Sequence, residues 1–389
     1  MNRLILTITS FLFINTIIAS TAYGITDPAP PTITSEAAII LEADSGRILF
    51  EKNADAQMYP ASLTKIATAI YAIETGNLDD IVTVSSHARD VDGTRVYLEE
   101  GEKVTLKKLL QGLLINSGND AGVAIAEHLS GSVEQFASDL NKYLKNVIGV
   151  ENTNFENPHG LYEQDHVTTA EDLAKITQYA MNNEGFREIF GTKQLEWQGE
   201  SWVTTLYSHH KLVKGEIPYE EVTGGKNGYV DQSGFTLATT AENNQLDLIV
   251  VTLKSSSEAI AYQDTVSLLD FGFNNFATAS IAKGNTFDAD GEEFKTADTL
   301  FYTYPINEQV NMEVNKEGTL EVTGKDGTVI ASYELEPMEV AATAEVKKST
   351  AVQESNLSLF SGFSSSLIFL LASIAIGIVI LYFRQTRKV

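Results

Sequence analysis

Ser62-Leu63-Thr64-Lys65, Ser117-Gly118-Asn119 and Lys226-Asn227-Gly228 occur in that order along a chain of 389 residues, and together they can assemble an activated serine. A serine hydroxyl is a weak nucleophile until a base takes its proton. Ser62 and Lys65 are three apart, so on a helix they share one face and the amine can reach the hydroxyl. To accept a proton the amine must be neutral part of the time. Burial, the positive end of a helix and a second cation at Lys226 all disfavour its charge. Ser117 can relay a proton to a leaving amine, Asn119 can hold a substrate amide, and Gly118 between them is expected to let the backbone turn tightly. Lys226 is expected at a strand start, and the absent side chain at Gly228 lets a ligand approach the backbone. The amides of Ser62 and Tyr229, one from the helix start and one from the strand, are the candidate donors for an oxyanion. Taken singly, the three strings read as a capped helix start, a helix-linking turn and an edge-strand lysine. Their joint occurrence is what favours nucleophilic catalysis.

These residues need a scaffold, and the sequence outlines one. Apolar-rich runs at 37–41 and 47–51, joined by Ala43-Asp44-Ser45-Gly46, predict a β-hairpin. Pro60, followed by Ile66, Ala69, Ile70 and Ile73 at helical spacing, predicts a helix over 61–74 with Ser62 in its first turn. Further helices are expected over 106–114, 121–129, 133–146 and 170–181. Strands resume at 234–240 and 246–254 around an Asn243-Asn244 turn, and 259–276 reads as a helix covering that sheet. Strands, an inserted helical block and strands again describe an α+β domain over 25–276. Short alternating segments with Gly-containing turns then suggest a small all-β domain over 277–340, followed by a polar linker over 341–362.

The two ends concern location. Residues 1–24 read as a secretory signal: a polar start with Arg3, an apolar run, then Ala22-Tyr23-Gly24 as a small-residue cleavage pattern. Residues 367–383 carry no charge and are followed by Arg384, Arg387 and Lys388. With part of 360–366 this suffices for a membrane-spanning helix, placed at 363–383, with a cytoplasmic tail over 384–389. The catalytic body is thus expected outside the cytoplasm, on a single-pass membrane anchor. Between the two segments lie 23 basic and all 52 acidic residues, a formal charge of −29, which makes nucleic acid and anionic lipid surfaces poor partners, so no nucleic acid is expected. There is no cysteine, so neither disulfides nor thiolate metal sites contribute.

The three motifs extend into longer strings: Tyr59-Pro60-Ala61-Ser62-Leu63-Thr64-Lys65, Leu113-Leu114-Ile115-Asn116-Ser117-Gly118-Asn119-Asp120-Ala121, and Asn157-Pro158-His159-Gly160-Leu161 followed by His166 and Thr169-Ala170-Glu171-Asp172-Leu173. Over about residues 37–276 the chain resembles the D-alanyl-D-alanine carboxypeptidases, low-molecular-mass penicillin-binding proteins of the serine peptidase type. The resemblance implies a transpeptidase/β-lactamase-like catalytic domain, an antiparallel sheet with helices and an inserted helical block. It further implies Ser62 as acyl-ester nucleophile, Lys65 as general base, Ser117 as second active-site serine, Asn119 as amide ligand and Lys226 as anchor for a terminal carboxylate. The implied partners are the peptidoglycan stem peptide ending in D-Ala-D-Ala and β-lactam antibiotics, with no cofactor. Asn227 stands where the family usually has Thr, and its side-chain N–H can donate to the same carboxylate.

Two other readings share the motifs. A class A β-lactamase needs a deacylating glutamate in a Glu-x-x-Leu-Asn element. The only Leu-Asn pair here is Leu140-Asn141, with Ala137 in the glutamate position. A catalytically silent cell-wall or β-lactam sensor tethered to the membrane would keep its acyl group and release no D-alanine. His159, His166, His209 and His210 form no His-Glu-x-x-His helix and are expected to line loops or cap helices, so no metal is called for.

Overall fold

Ala37–Glu42 is buried at every residue, which places it inside a sheet and not at its edge. The computed structural model describes residues 29–338. Its main sheet has five antiparallel strands in the order Ile48–Lys52, Ala37–Glu42, Asp247–Ser255, Gly234–Glu242, Val222–Val230. The period of two assigns alternate residues to two cores. Ala37, Ile39 and Leu41 join Ile249, Val251 and Leu253 beneath the helical block, while Ala38 and Ile40 join Leu248 and Val250 beneath Leu268 and Leu269. A strand covered on both faces reads as an unbroken apolar run, as Ala37-Ala38-Ile39-Ile40-Leu41 does.

The helical block contains Leu106–Ile115, Asn119–Ser130, Val133–Tyr143 and Ala170–Met181. Thr105, Ser132 and Thr169 cap three of these helices by accepting from the amides of Lys108, Gln135 and Asp172. The third helix ends in a π turn, Leu144–Ile148, where the sequence suggested continuous α-helix. Among the short pieces that went unforeseen are Ser86–Asp90, Glu184–Phe190 and the hairpin Gln194–Gln198 with Val203–Tyr207. At five to seven residues, none is long enough to display a period.

On the opposite face, Glu258–Asn275 covers the sheet. Its Asp264 is buried and accepts from the amides of Thr34 and Ser35 and from Ser35 Oγ, at 3.0, 2.6 and 2.6 Å, which fastens the segment before the first strand to this helix. Beyond it the described residues form only strands and turns, Phe276–Ile281 through Glu336–Pro337, around a separate cluster that includes Ile281, Phe294, Tyr302, Leu320 and Val322. Thr303 ties this part back by donating to Glu42 Oε2 at 3.2 Å, beside Arg47, which donates to the Thr303 carbonyl. No helix among the described residues is long and apolar enough to cross a membrane. The expected signal, linker, spanning helix and tail all lie outside those residues.

Asp264→Ala removes the acceptor of the buried Ser35 amide and hydroxyl and of the part-buried Thr34 amide, so it should lower unfolding stability by about 3 kcal/mol in a denaturant titration. A loss under about 1 kcal/mol would show that water replaces the carboxylate there.

Candidate active site

Pro60 precedes a 3-10 turn, Ala61–Leu63, and the α-helix Thr64–Thr75 follows. Ser62 therefore sits in a tighter turn ahead of the helix, not within its first α turn as the periodicity suggested. The reason lies at Ala61, whose φ of 49° is left-handed and cannot belong to an α-helix. Three contacts hold that conformation. Thr64 Oγ1 donates to Ala61 O at 2.9 Å, Thr236 Oγ1 donates to Pro60 O at 3.1 Å, and any Cβ on Gly160 would overlap Ala61 O. Thr64 is oriented in turn by His166. The Glu156 amide donates to Nδ1 of His166, so the proton of the neutral ring is on Nε2, which donates to Thr64 Oγ1 at 2.8 Å. Burial, assisted by the charge of Lys65, pushes His166 down to about 3 and keeps it neutral.

Lys65 is fully buried, and its Nζ lies 2.9 Å from Ser62 Oγ, 2.8 Å from Asn119 Oδ1 and 2.6 Å from His159 O. The last two oxygens can only accept. A neutral amine has two hydrogens, so it donates to both and turns its lone pair toward the one neighbour with a proton to give, Ser62. Burial first, then the charge of Lys226, hold Lys65 well below the ordinary lysine range, against an opposing pull from Asp120. The pair thus has the geometry and the electrostatics of a serine and its base.

Ser117 Oγ donates to Ser62 Oγ at 3.2 Å. The tight turn that sequence assigned to Gly118 is made by Ser117, with φ of 61°; Gly118 has φ of −64°. Gly118 is required for space, since a Cβ there would lie 2.9 Å from Asp120 Oδ1 and 3.3 Å from Gly112 O. Asn119 donates from Nδ2 to Asp92 O at 2.7 Å, which fixes the amide so that Oδ1 faces Lys65. One Nδ2 hydrogen remains for a ligand. Asp120, which sequence reasoning gave no role, is buried and accepts from the amides of Val96 and Leu98 at 3.0 and 3.1 Å. It locks residues 95–98 onto the Ser117 turn.

Lys226 lies in the middle of the edge strand Val222–Val230, not at its start. The sequence Gly224-Gly225 hid the first half of that strand. Both glycines are there for space: a Cβ on Gly224 would strike the Phe190 ring, and one on Gly225 would meet the His210 ring at 2.9 Å. Lys226 is buried, donates to Asn227 O at 2.8 Å, and is pulled down to about 7 by desolvation. The Asn227 side chain is half-buried and makes no hydrogen bond among the described residues. A Cβ on Gly228 would come within 2.8 Å of the Ser62 amide nitrogen, so only glycine lets this strand close on the nucleophile. Tyr229 follows, half-exposed, with its ring against Phe235. All eight sequence-derived residues therefore converge on Ser62 or on the strand beside it. The histidines do not gather: among the described residues no three His, Cys, Asp or Glu side chains are grouped to hold a metal.

An uncharged acylating reagent should modify Ser62 at a rate that rises with pH as the neutral fraction of Lys65 grows, then levels off well below lysine's ordinary pKa of about 10.4. A rate still climbing at pH 10 would mean that Lys65 titrates as an exposed lysine.

The D-alanyl-D-alanine carboxypeptidase family model, peptidase S11, matches residues 25–257. Among curated relatives, the D-alanyl-D-alanine carboxypeptidase DacF of Bacillus subtilis is 33% identical over 64% of this chain, and DacA of Escherichia coli is 29% identical over 81% of this chain and 77% of its own length. The match spans 65% of DacF and 66% of the Salmonella typhimurium DacD, just under two thirds of each. Penicillin-binding protein 5 from Haemophilus influenzae superposes with a TM-score of 0.71 at 27% identity, over 80% of this chain and 98% of that structure. The α+β scaffold is thus a penicillin-binding-protein fold. With the family model matched over more than half of its length, the chain belongs to the D-alanyl-D-alanine carboxypeptidase family.

Proposed function

We propose that the protein is a serine-type D-Ala-D-Ala carboxypeptidase, which removes the terminal D-alanine from peptidoglycan stem pentapeptides through an acyl-enzyme on Ser62. The observation that carries this reading is the fully buried Lys65 amine, 2.9 Å from Ser62 Oγ and lowered in pKa by its surroundings. Family membership supplies the substrate class.

In the acylation step Ser62 Oγ gives its proton to Lys65 Nζ and bonds to the carbonyl carbon of the penultimate D-alanine. The carbonyl oxygen takes up negative charge facing the amides of Ser62 and Tyr229. Ser117, 3.2 Å from Ser62 Oγ, relays to the departing amine the proton that Lys65 took up, so the peptide C–N bond breaks and the lysine is neutral again. Water then attacks the ester, the same base accepts its proton, and Ser62 Oγ leaves as the hydroxyl. The terminal carboxylate is held by Lys226, with Asn227 donating beside it, and the free Nδ2 hydrogen of Asn119 meets the amide of the acyl portion. A β-lactam enters the same first step through its strained amide, and no cofactor or metal takes part.

The body works outside the cytoplasm. Export through residues 1–24 and retention by an apolar span at 363–383, flanked by Arg384, Arg387 and Lys388, support a single-pass anchor.

Ser62→Ala should abolish both covalent penicillin labelling and D-alanine release from a defined D-Ala-D-Ala pentapeptide; labelling that persists would remove Ser62 from the chemistry. Asn227→Thr should change kcat/KM modestly, whereas Asn227→Ala, which deletes a donor to a charged carboxylate, should cost about 1.5 to 3 kcal/mol, or roughly tenfold to a hundredfold. Equal kinetics for Asn and Ala at position 227 would leave Lys226 as the sole anchor.

A further inference from the structure

Tyr97 has a left-handed backbone, φ of 57°, and is 51% exposed. A bulky side chain pays conformational strain there that glycine or asparagine would avoid, and burial does not compensate it. The strain is enforced from both sides. Val96 and Leu98 donate to Asp120, and the Tyr97 carbonyl accepts from Ser201 Oγ at 2.9 Å. The Trp202 ring meets Tyr97 edge-on, with centroids 5.0 Å apart. The Arg95 guanidinium stands 5.4 Å over the Tyr97 ring and donates to Arg89 O, and it makes no ion pair among the described residues. Its neighbour Arg89 holds both Asp90 and Glu100, whereas the charge of Arg95 acts on Asp90 without a direct ion pair.

The position of this group relative to Ser62 is set by the same segment. Asp92 O and Thr94 O accept from Asn119, and Arg95 O accepts from Asn116 at 2.9 Å, so residues 92–97 border the Ser117 turn. A peptide whose terminal carboxylate lies at Lys226 and whose scissile carbonyl lies over Ser62 must run past Asn119 toward this border.

We propose that Arg95, Tyr97 and Trp202 form a subsite for the upstream part of the substrate: Arg95 pairs with a free carboxylate on the acidic residue of the stem peptide, and the two rings cover the aliphatic side chain between that residue and D-Ala-D-Ala. This rests on the carboxypeptidase reading and adds the feature by which the enzyme tells a full stem from a bare D-Ala-D-Ala end. A guanidinium already stacked on an aromatic ring loses little mobility when it takes up an anion, and the exposed ring gains contact area.

The test compares two synthetic stem pentapeptides, identical except that the D-glutamate α-carboxyl is free in one and amidated in the other. The wild-type enzyme should release D-alanine from the free acid with kcat/KM about fivefold to tenfold higher, the difference lying in KM. Arg95→Gln should erase that preference. Tyr97→Gly suits the left-handed backbone and so removes the ring without disturbing the loop; it should raise KM for both peptides while penicillin acylation stays within about twofold. No discrimination by the wild type, or a preference that survives Arg95→Gln, would overturn the subsite and leave the carboxypeptidase reading intact. Wild-type protein that releases D-alanine from neither peptide would overturn both.

Discussion

A primary amine with no exposed surface and two obligate acceptors against it is the constraint around which this site is built. Lys65 must present a lone pair to Ser62, and three features bring that about: complete burial, a second buried lysine nearby, and carbonyl oxygens from Asn119 and His159 that claim its remaining hydrogens. Asn119, Lys226 and His159 come from different elements, namely the helical block, the edge strand and a loop. The fold can thus be read as a device for bringing three chain segments to one nitrogen. Asp120 acts against the depression, and its carboxylate is largely spent on backbone amides.

Closing those segments on Ser62 requires crowding that few residues tolerate. Gly160 and Gly228 press on the backbone of Ala61 and Ser62, and Ala61, Tyr97 and Ser117 take left-handed conformations around the same site. Strain of this kind costs of order 1–3 kcal/mol per residue and persists only when the surroundings over-determine it. Here they do. Thr64, Thr236 and a neutral His166 fix Ala61 through its own carbonyl and its neighbour's, and Asp120 with Ser201 fixes Tyr97.

Much of this was legible in the sequence because it depends on residue type and spacing. The helix Ala170–Met181 falls where it was expected, since Thr169 caps it and Glu171 and Asp172 fill its first turn. The three motifs identified Ser62, Lys65, Ser117, Asn119 and Lys226 as one constellation, and the structure brings them together. What sequence could not reveal was which residue carries the conformational burden. Glycine at 118 suggests a turn, yet serine at 117 makes it, because Asp120 fills the space where a side chain on 118 would go. The roles of Asp120, His166 and the His159 carbonyl depend on contacts across 22 to 102 positions of chain, for which no local pattern exists. The Gly-Gly before Lys226 reads as a break but is space for Phe190 and His210 beneath a continuous strand.

The most direct test of the account is the protonation state of Lys65 itself, read from the 15Nζ and 13Cε shifts of labelled lysine across a pH titration of the native enzyme and of Lys226→Met. The account predicts that Lys65 titrates well below about 10.4 in the native enzyme and moves upward when the charge at 226 is removed. A Lys65 that titrates in the ordinary lysine range, unmoved by the loss of Lys226, would contradict it.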